Sequence, residues 1–377
     1  MEVDLETEDR FQHANPEVML LNSPSSLFEC SGCRFAGKRL VLKAVMVFVL
    51  LFVLICSCKK DDNGAGPEDS FAATTGKKAS TFTIRFRPQW HHQAQFAGIY
   101  MAAHRGFYAN LGLNVDIQSG GPDFPPYEAI KNGSTDICTM FLLPALNSID
   151  PDLELVNLAQ VSQRSALMLI AKRSRGINSP KDLKGKKVGL WHSEFRDVSL
   201  AYLNDNSIKA NIIPVGWQVS PFIYNAVDAI NVMLYNEYHQ VITSGVEDSD
   251  LFQLRFSDIG YNIPEDGIYT TRAFYDAHTQ ACKDFAEATM DGWVYAINHM
   301  DETLSVLMDI LKRDYIPANR PHQKWMLEKM RELILASPEH LGKLNRSDYE
   351  AAITLLKRQN PALKPPQFER FHPGATN

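Results

Sequence analysis

Short stretches rich in β-branched and aromatic residues alternate with helical stretches along most of this chain, and that alternation restricts the fold more than any other feature. Residues 81–87 alternate at period two, as a half-buried strand does; 93–110 follow with Phe96, Ile99, Tyr100, Ala103 and Phe107 on one helical face, and Gly112 stops that helix. The pattern predicts further strands over 114–118, 136–139, 155–161 and 166–172, with helices over 127–132 and after Phe141. A second block opens at 179–185, where a short helix leads into a strand over 187–191. It continues through a helix over 198–204, strands over 212–215 and 229–234, and a helix opening near Tyr235. The last third reads as helices over 279–299, 302–312, 323–335 and 347–358. Strands separated by helices pair mostly in parallel, because the intervening helix carries the chain back to the starting edge. The expected class is therefore α/β, two-lobed, with mixed but mostly parallel sheets flanked by helices and a helical C-terminal part.

Upstream of this alternation, an uncharged apolar run between Lys43 and Lys59 closes on Ile55, Cys56, Ser57 and Cys58. It is shorter than the roughly 20 apolar residues a membrane span needs, and with Lys38, Arg39 and Lys43 before it, it has the form of a signal-peptide core. Ile55 at −3, Ser57 at −1 and Cys58 at +1 resemble a bacterial lipobox, which makes Cys58 the expected lipidated first residue of the mature chain. Cleavage before Cys56 would instead put bulky Ile55 at the −1 place. The expected organisation is an upstream segment 1–37 from a misassigned start, a signal peptide 38–58, a flexible tether 59–80, lobe one from 81–165 and 267–377, and lobe two from 166–266. An uncleaved signal anchor is the alternative. Either way the domain is expected in the cell envelope, tied to a bacterial membrane and facing the periplasm or exterior.

The net charge of −6 comes without any basic stripe, which argues against nucleic acid as a partner. Cys138 and Cys282 are the cysteines of the expected mature body, too few for a disulfide framework. Cys30 and Cys33 have zinc-type spacing but no second ligand pair, and adjacent His91 and His92 lack accompanying ligands, so no metal or other cofactor is expected.

Several segments taken in order resemble the thiamine-pyrimidine-synthase-like family of solute-binding proteins, sulfonate-binding relatives included. They are Trp90 after the first strand, 96–108 ending in Gly106, Phe107 and Tyr108, 112–117, Asn132 with Gly133 and Asp136, 183–189, Tyr235 to Tyr238, and Glu265, Asp266, Gly267 and Tyr269. The resemblance runs from about Thr81 to about Leu311 and implies a type 2 periplasmic binding fold, two lobes around a ligand cleft, serving an ABC permease and its ATPase. The eukaryotic synthases of the family use a lysine and a histidine after the Asp-x-Gly of lobe one. Aligned through Asp136, those places hold Met140 and Pro144, and neither can form a Schiff base or supply an imidazole. A non-enzymatic binding protein, expected as a monomer, is the favoured reading. A synthase-like enzyme and a ligand-sensing lipoprotein without a transporter are the alternatives.

In open α/β sheets ligands bind beyond the carboxyl ends of strands, so the residues just past each expected strand are the candidates. These are Gln89, Trp90 and His91 after the first strand, Gln163 after the strand before the hinge, Trp191 in lobe two, and Tyr235, Asn236 and Glu237 after its later strand; Asp266 is expected at the returning hinge. An aromatic plane beside a carboxylate or amide suits a flat nitrogen heterocycle such as a thiamine pyrimidine precursor, whose ring stacks while its amino edge is hydrogen-bonded. Packing is the competing role for Trp90 and Trp191, and stabilisation of a helix start for Glu237. The stretch 191–196 has no glycine, unlike a phosphate-type turn, and favours an uncharged or cationic ligand; Arg164 and Arg196 keep an anion open.

Overall fold

The computed structural model describes residues 81–147, 153–192 and 195–376. The upstream segment, the signal with Cys58 and the tether lie outside the described residues, as do Ser193 and Glu194. The described strands are β1 (Phe82–Arg87), β2 (Leu113–Ile117), β3 (Ile137–Phe141), β4 (Leu155–Gln160), β5 (Leu167–Lys172), β6 (Lys187–Trp191), β7 (Asn211–Val215), β8 (Ala229–Met233), β9 (Leu251–Arg255) and β10 (Asp266–Thr271). The longer helices are α1 (Ala97–His104), α2 (Phe195–Asp205), α3 (Glu237–Thr243), α4 (Thr279–Asn298), α5 (Met300–Arg313), α6 (Arg320–Ile334) and α7 (Arg346–Gln359).

The strands form two five-stranded sheets, ordered β2-β1-β3-β10-β4 and β7-β6-β8-β5-β9. In the first, β1 is parallel to β2 and β3, and β10 runs antiparallel to β3 and β4. In the second, β6 is parallel to β7 and β8, and β5 runs antiparallel to β8 and β9. Each sheet therefore has four strands in one direction and one against them. The opposing strand is in both cases the one that follows a crossing between sheets, since the chain leaves the first sheet after β4 and returns to it after β9. This is the mixed, mostly parallel α/β architecture that the alternation implies.

Strands β9 and β10 are the strands the sequence pattern misses; β10 is defined by its antiparallel pairing with β3 and β4. β9 shows the same dependence. Its residues are mostly buried without period-two alternation, and it pairs with β5 from Met168 opposite Arg255 to Lys172 opposite Leu251, so a neighbour some eighty positions away defines it. The helix expected near Tyr235 starts at Glu237.

Helices α1 and α4 cross beside the first sheet at glycines. A Cβ on Gly98 would lie 2.3 Å from the Trp293 ring, and one on Gly292 would lie 2.0 Å from the Gly98 carbonyl oxygen. Trp293 is thereby sealed in the core, 2% exposed, and burying a large apolar side chain contributes about 1.5–3 kcal/mol. Phe86 of β1 stacks on Phe285 of α4, which stacks on Tyr108, tying sheet to helix layer. Helix α6 packs on both the segment before α1 and α3, so it touches elements of both sheets. Among the described residues no helix is long and apolar enough to cross a membrane.

Candidate functional site

The carboxyl ends of the strands in both sheets converge on a cavity of about 460 Å³. From the first sheet come Gln89 and Trp90 past β1, Gly121, Pro122, Pro125, Pro126 and Tyr127 past β2, and Met140, Phe141 and Pro144 at the end of β3. From the second come Trp191 at the end of β6, Trp217 past β7, and Met233, Tyr235, Asn236 and Glu237 at the end of β8. Gly120 lets the loop after β2 approach: a Cβ there would lie 2.1 Å from the Pro88 carbonyl oxygen.

Three tryptophans span the cavity from sheet to sheet. The rings of Trp90 and Trp217 have centroids 5.2 Å apart, and those of Trp217 and Trp191 5.5 Å apart. Glu237 is the one charged side chain lining the cavity among the described residues; no lysine, arginine or histidine lines it there. Its carboxylate accepts from the Met233 N–H at 3.0 Å and from Asn236 Nδ2 at 2.7 Å. Burial pushes it up to about 7, against the pull of those two donors. Asn236 Oδ1 in turn accepts from Gln240 Nε2 at 2.9 Å and lies 3.0 Å from His322 Nε2. A carbonyl only accepts, so His322 carries its proton on Nε2, and its bare Nδ1 accepts from His239 Nδ1 at 2.8 Å. Burial lowers both histidines, His322 to about 4.

A second polar layer is built from the segment after β1 and the start of β10. Asp266 Oδ1 accepts from Gln89 Nε2 at 2.8 Å and Gln95 Nε2 at 2.7 Å; Gln95 Nε2 also reaches Tyr235 Oη at 3.0 Å, and Gln93 Nε2 donates to Gln95 Oε1 at 2.6 Å. Burial pushes Asp266 up to about 7, opposed by the two glutamine amides.

Six of the residues singled out from sequence, Gln89, Trp90, Trp191, Tyr235, Asn236 and Glu237, line the cavity together. Three do not. Asp266 sits behind Gln89 and Gln95, outside the lining. Gln163 turns away to donate to the Gln160 and Lys343 carbonyls at 2.9 and 3.1 Å, so it braces the crossing. His91 is exposed beside Trp90, because the chain bends after β1 and turns alternate side chains outward. The arginines that kept an anion open are also elsewhere: Arg164 pairs with Asp258 and Arg196 stands 4.0 Å from Asp197. Trp191 is 3% exposed yet borders the cavity, so packing and lining coincide in it. Met140 and Pro144 line the cavity, which makes it apolar where the resemblance puts the synthase lysine and histidine.

Sequence reasoning missed Trp217, Gln93, Gln95 and Tyr127. Trp217 stands just past an expected strand, so the same strand-end rule reaches it. The two glutamines read as the polar side of a helix start, and nothing local marks them.

Two lobes, each an α/β sheet, with a cleft at the strand ends and two crossings beside it, define the class of type 2 periplasmic binding proteins. The periplasmic aliphatic sulphonate-binding protein of Escherichia coli shares this fold, with a TM-score of 0.58 at 15% identity over 78% of this chain and 98% of its own. Within that class the chain belongs to the NMT1/THI5-like family, whose model matches residues 93–303. It is similar to the formylaminopyrimidine-binding protein of Halalkalibacterium halodurans, 20% identical over 277 residues, which cover 71% of this chain and 79% of that protein. It is also similar to a putative thiamine biosynthesis protein of Haemophilus influenzae, 24% identical over 251 residues, covering 62% and 80% of the two chains.

Proposed function

We propose that this chain is the extracytoplasmic solute-binding lipoprotein of an ABC importer, holding a small planar nitrogen heterocycle of the thiamine-pyrimidine-precursor kind between its lobes. The observation that carries this reading is the pairing, in one cavity, of tryptophan faces with a single buried carboxylate and no cationic side chain among the described lining residues. A flat ring stacks on Trp90, and its amino edge pairs with Glu237, helped by Tyr235 and Asn236. Anionic relatives of such a ligand lack a partner there, since burying an unpaired negative charge beside Glu237 costs several kcal/mol.

In this reading lobe one (81–165 and 267–377) and lobe two (166–266) close about the crossings, and ligand selects the closed state by touching both. In this reading the ligand is held and released unchanged, with Met140 and Pro144 on the cavity where the resemblance puts the synthase lysine and histidine. The partners are a permease and its ATPase, the protein acts as a monomer, and a lipid on Cys58 keeps it at the membrane. Titration calorimetry with hydroxymethyl- and aminomethyl-aminopyrimidines tests the ligand: saturable heat is expected, and its absence, or a covalent pyridoxal adduct by mass spectrometry, overturns the reading. Labelled fatty acid should enter the wild-type protein and not Cys58→Ala; equal labelling removes the anchor.

A further inference from the structure

Asp266 does not line the cavity, yet polar atoms that do are oriented through it. It is 3% exposed, and its Oδ1 takes both the Gln89 and the Gln95 amide nitrogen. A carboxylate oxygen only accepts, so each glutamine must turn its NH₂ group toward Asp266 and its carbonyl oxygen away. Gln95 passes the constraint on: its carbonyl accepts from the Gln93 amide, and its NH₂ also serves the Tyr235 hydroxyl oxygen. The chain of bonds ends at two carbonyl oxygens, Gln89 Oε1 and Gln93 Oε1, which have no hydrogen-bond partner among the described residues and belong to side chains on the cavity. Asp266 Oδ2 is buried and unpartnered, so the orientation rests on Oδ1 alone and survives protonation of Oδ2.

On the second-sheet side the polar lining mixes an acceptor with a donor. Glu237 accepts, and Asn236 spends Oδ1 on Gln240 and His322 and Nδ2 on Glu237. The Tyr235 hydroxyl accepts from Gln95 and keeps one proton to give.

We propose that Asp266 is a positioning residue that makes the first-sheet side of the cavity an acceptor surface, selecting ligands whose edge carries N–H donors, such as an amino or amidine group, over isosteres carrying an oxo group. This deepens the function proposed above and rests on its assignment of the cleft as the ligand site. An oxo group set against a carbonyl oxygen leaves two buried acceptors without a donor, a mismatch that sites built on hydrogen bonds reject strongly.

The test compares 4-aminopyrimidine and 4-pyrimidinone derivatives by calorimetry in the wild-type protein and in Asp266→Asn, whose amide NH₂ can oppose the glutamine NH₂ groups and release them to flip. The wild type should prefer the amino ligand by about tenfold or more, and the preference should collapse toward parity in Asp266→Asn. A merely structural role would weaken both ligands equally and keep the ratio, which overturns the proposal. In the unliganded wild type, the side-chain amides of Gln89 and Gln95 should show slowed proton exchange by NMR; free exchange overturns it as well. If the wild type binds neither ligand, the proposed function fails, and the exchange measurement still decides the orientation. Should Asp266→Asn not fold, Gln93→Met removes one acceptor with Asp266 intact and should reduce the preference; an unchanged preference counts against the proposal.

Discussion

The two crossings between the sheets hold equivalent places in the topology and differ in chemistry. The outgoing one, between β4 and β5, is short and neutral where it is buried: Val161 donates its N–H to the Asp266 carbonyl at 2.8 Å, and Gln163 braces two carbonyls. The return, between β9 and β10, is longer and ends in two buried acids, Glu265 and Asp266. Glu265 reaches across to the outgoing crossing, accepting from Ser165 Oγ at 2.5 Å and the Ala166 N–H at 2.9 Å, and burial pushes it up to about 8. Asp266 faces the other way, toward the glutamines of the cavity. A duplicated path thus became a division of labour: one crossing is clamped, and the other both clamps it and orders the cleft.

The sharpest way to break this asymmetry is Glu265→Ala, which strands the Ser165 hydroxyl and the Ala166 N–H in a buried place. A loss of about 2–4 kcal/mol in urea unfolding is expected, whereas Gln163→Ala, on the outgoing side, should lose only about 1–2 kcal/mol. Equal losses would mean the crossings are energetically alike. Next in size, Trp90→Ala and Glu237→Gln should each weaken ligand binding by about tenfold or more while melting near the wild type, since stacking and a charge-assisted hydrogen bond are each worth roughly 1–3 kcal/mol. Variants that melt early and bind only in proportion to their folded fraction would assign both residues to packing.

The acids of the return crossing, together with Glu237 of the cleft, also give the protein a direction in pH. Glu265, Asp266 and Glu237 hold their protons more tightly folded than unfolded, so the folded state binds more protons between their ordinary range and about 7 to 8. Their contribution is full at acid pH and is lost as pH rises through 7 to 8, at most about 1.4 kcal/mol per pH unit for each group. Thermal melts should therefore fall from pH 5 to pH 8, and Glu265→Gln should flatten that fall. Affinity for an amino ligand should move oppositely, rising as Glu237 ionises near pH 7. The smallest effect expected is at Trp217, 40% exposed, where Phe keeps an aromatic face and should change affinity by a few-fold at most.

The fold was largely legible because strands β1 to β8 carry their signal locally, as β-branched runs closed by turn residues. β9 and β10 were not, since their strand character comes from pairing with β5 and with β3 and β4. The cavity was legible wherever a candidate directly follows a strand, as Trp90, Trp191 and Glu237 do. It failed where a side chain's job depends on a distant partner. Asp266 bonds to Gln89 and Gln95 across 177 and 171 positions, and no local pattern says that it orders a cavity from behind. Gln163 erred for the same reason: its partner at Lys343 is 180 positions away.

The tryptophan relay has an optical consequence. Three of the chain's five tryptophans stand in a row across the cleft, Trp90 edge to face with Trp217 and Trp191 tilted against it, and the middle one is partly in water. Indoles this close share excitation, so light absorbed by Trp90 or Trp191 can leave the molecule from Trp217. Anything that wedges between these rings cuts that exchange and dries the emitter. The protein therefore reports the state of its own cleft in the colour of its intrinsic emission, with no label attached.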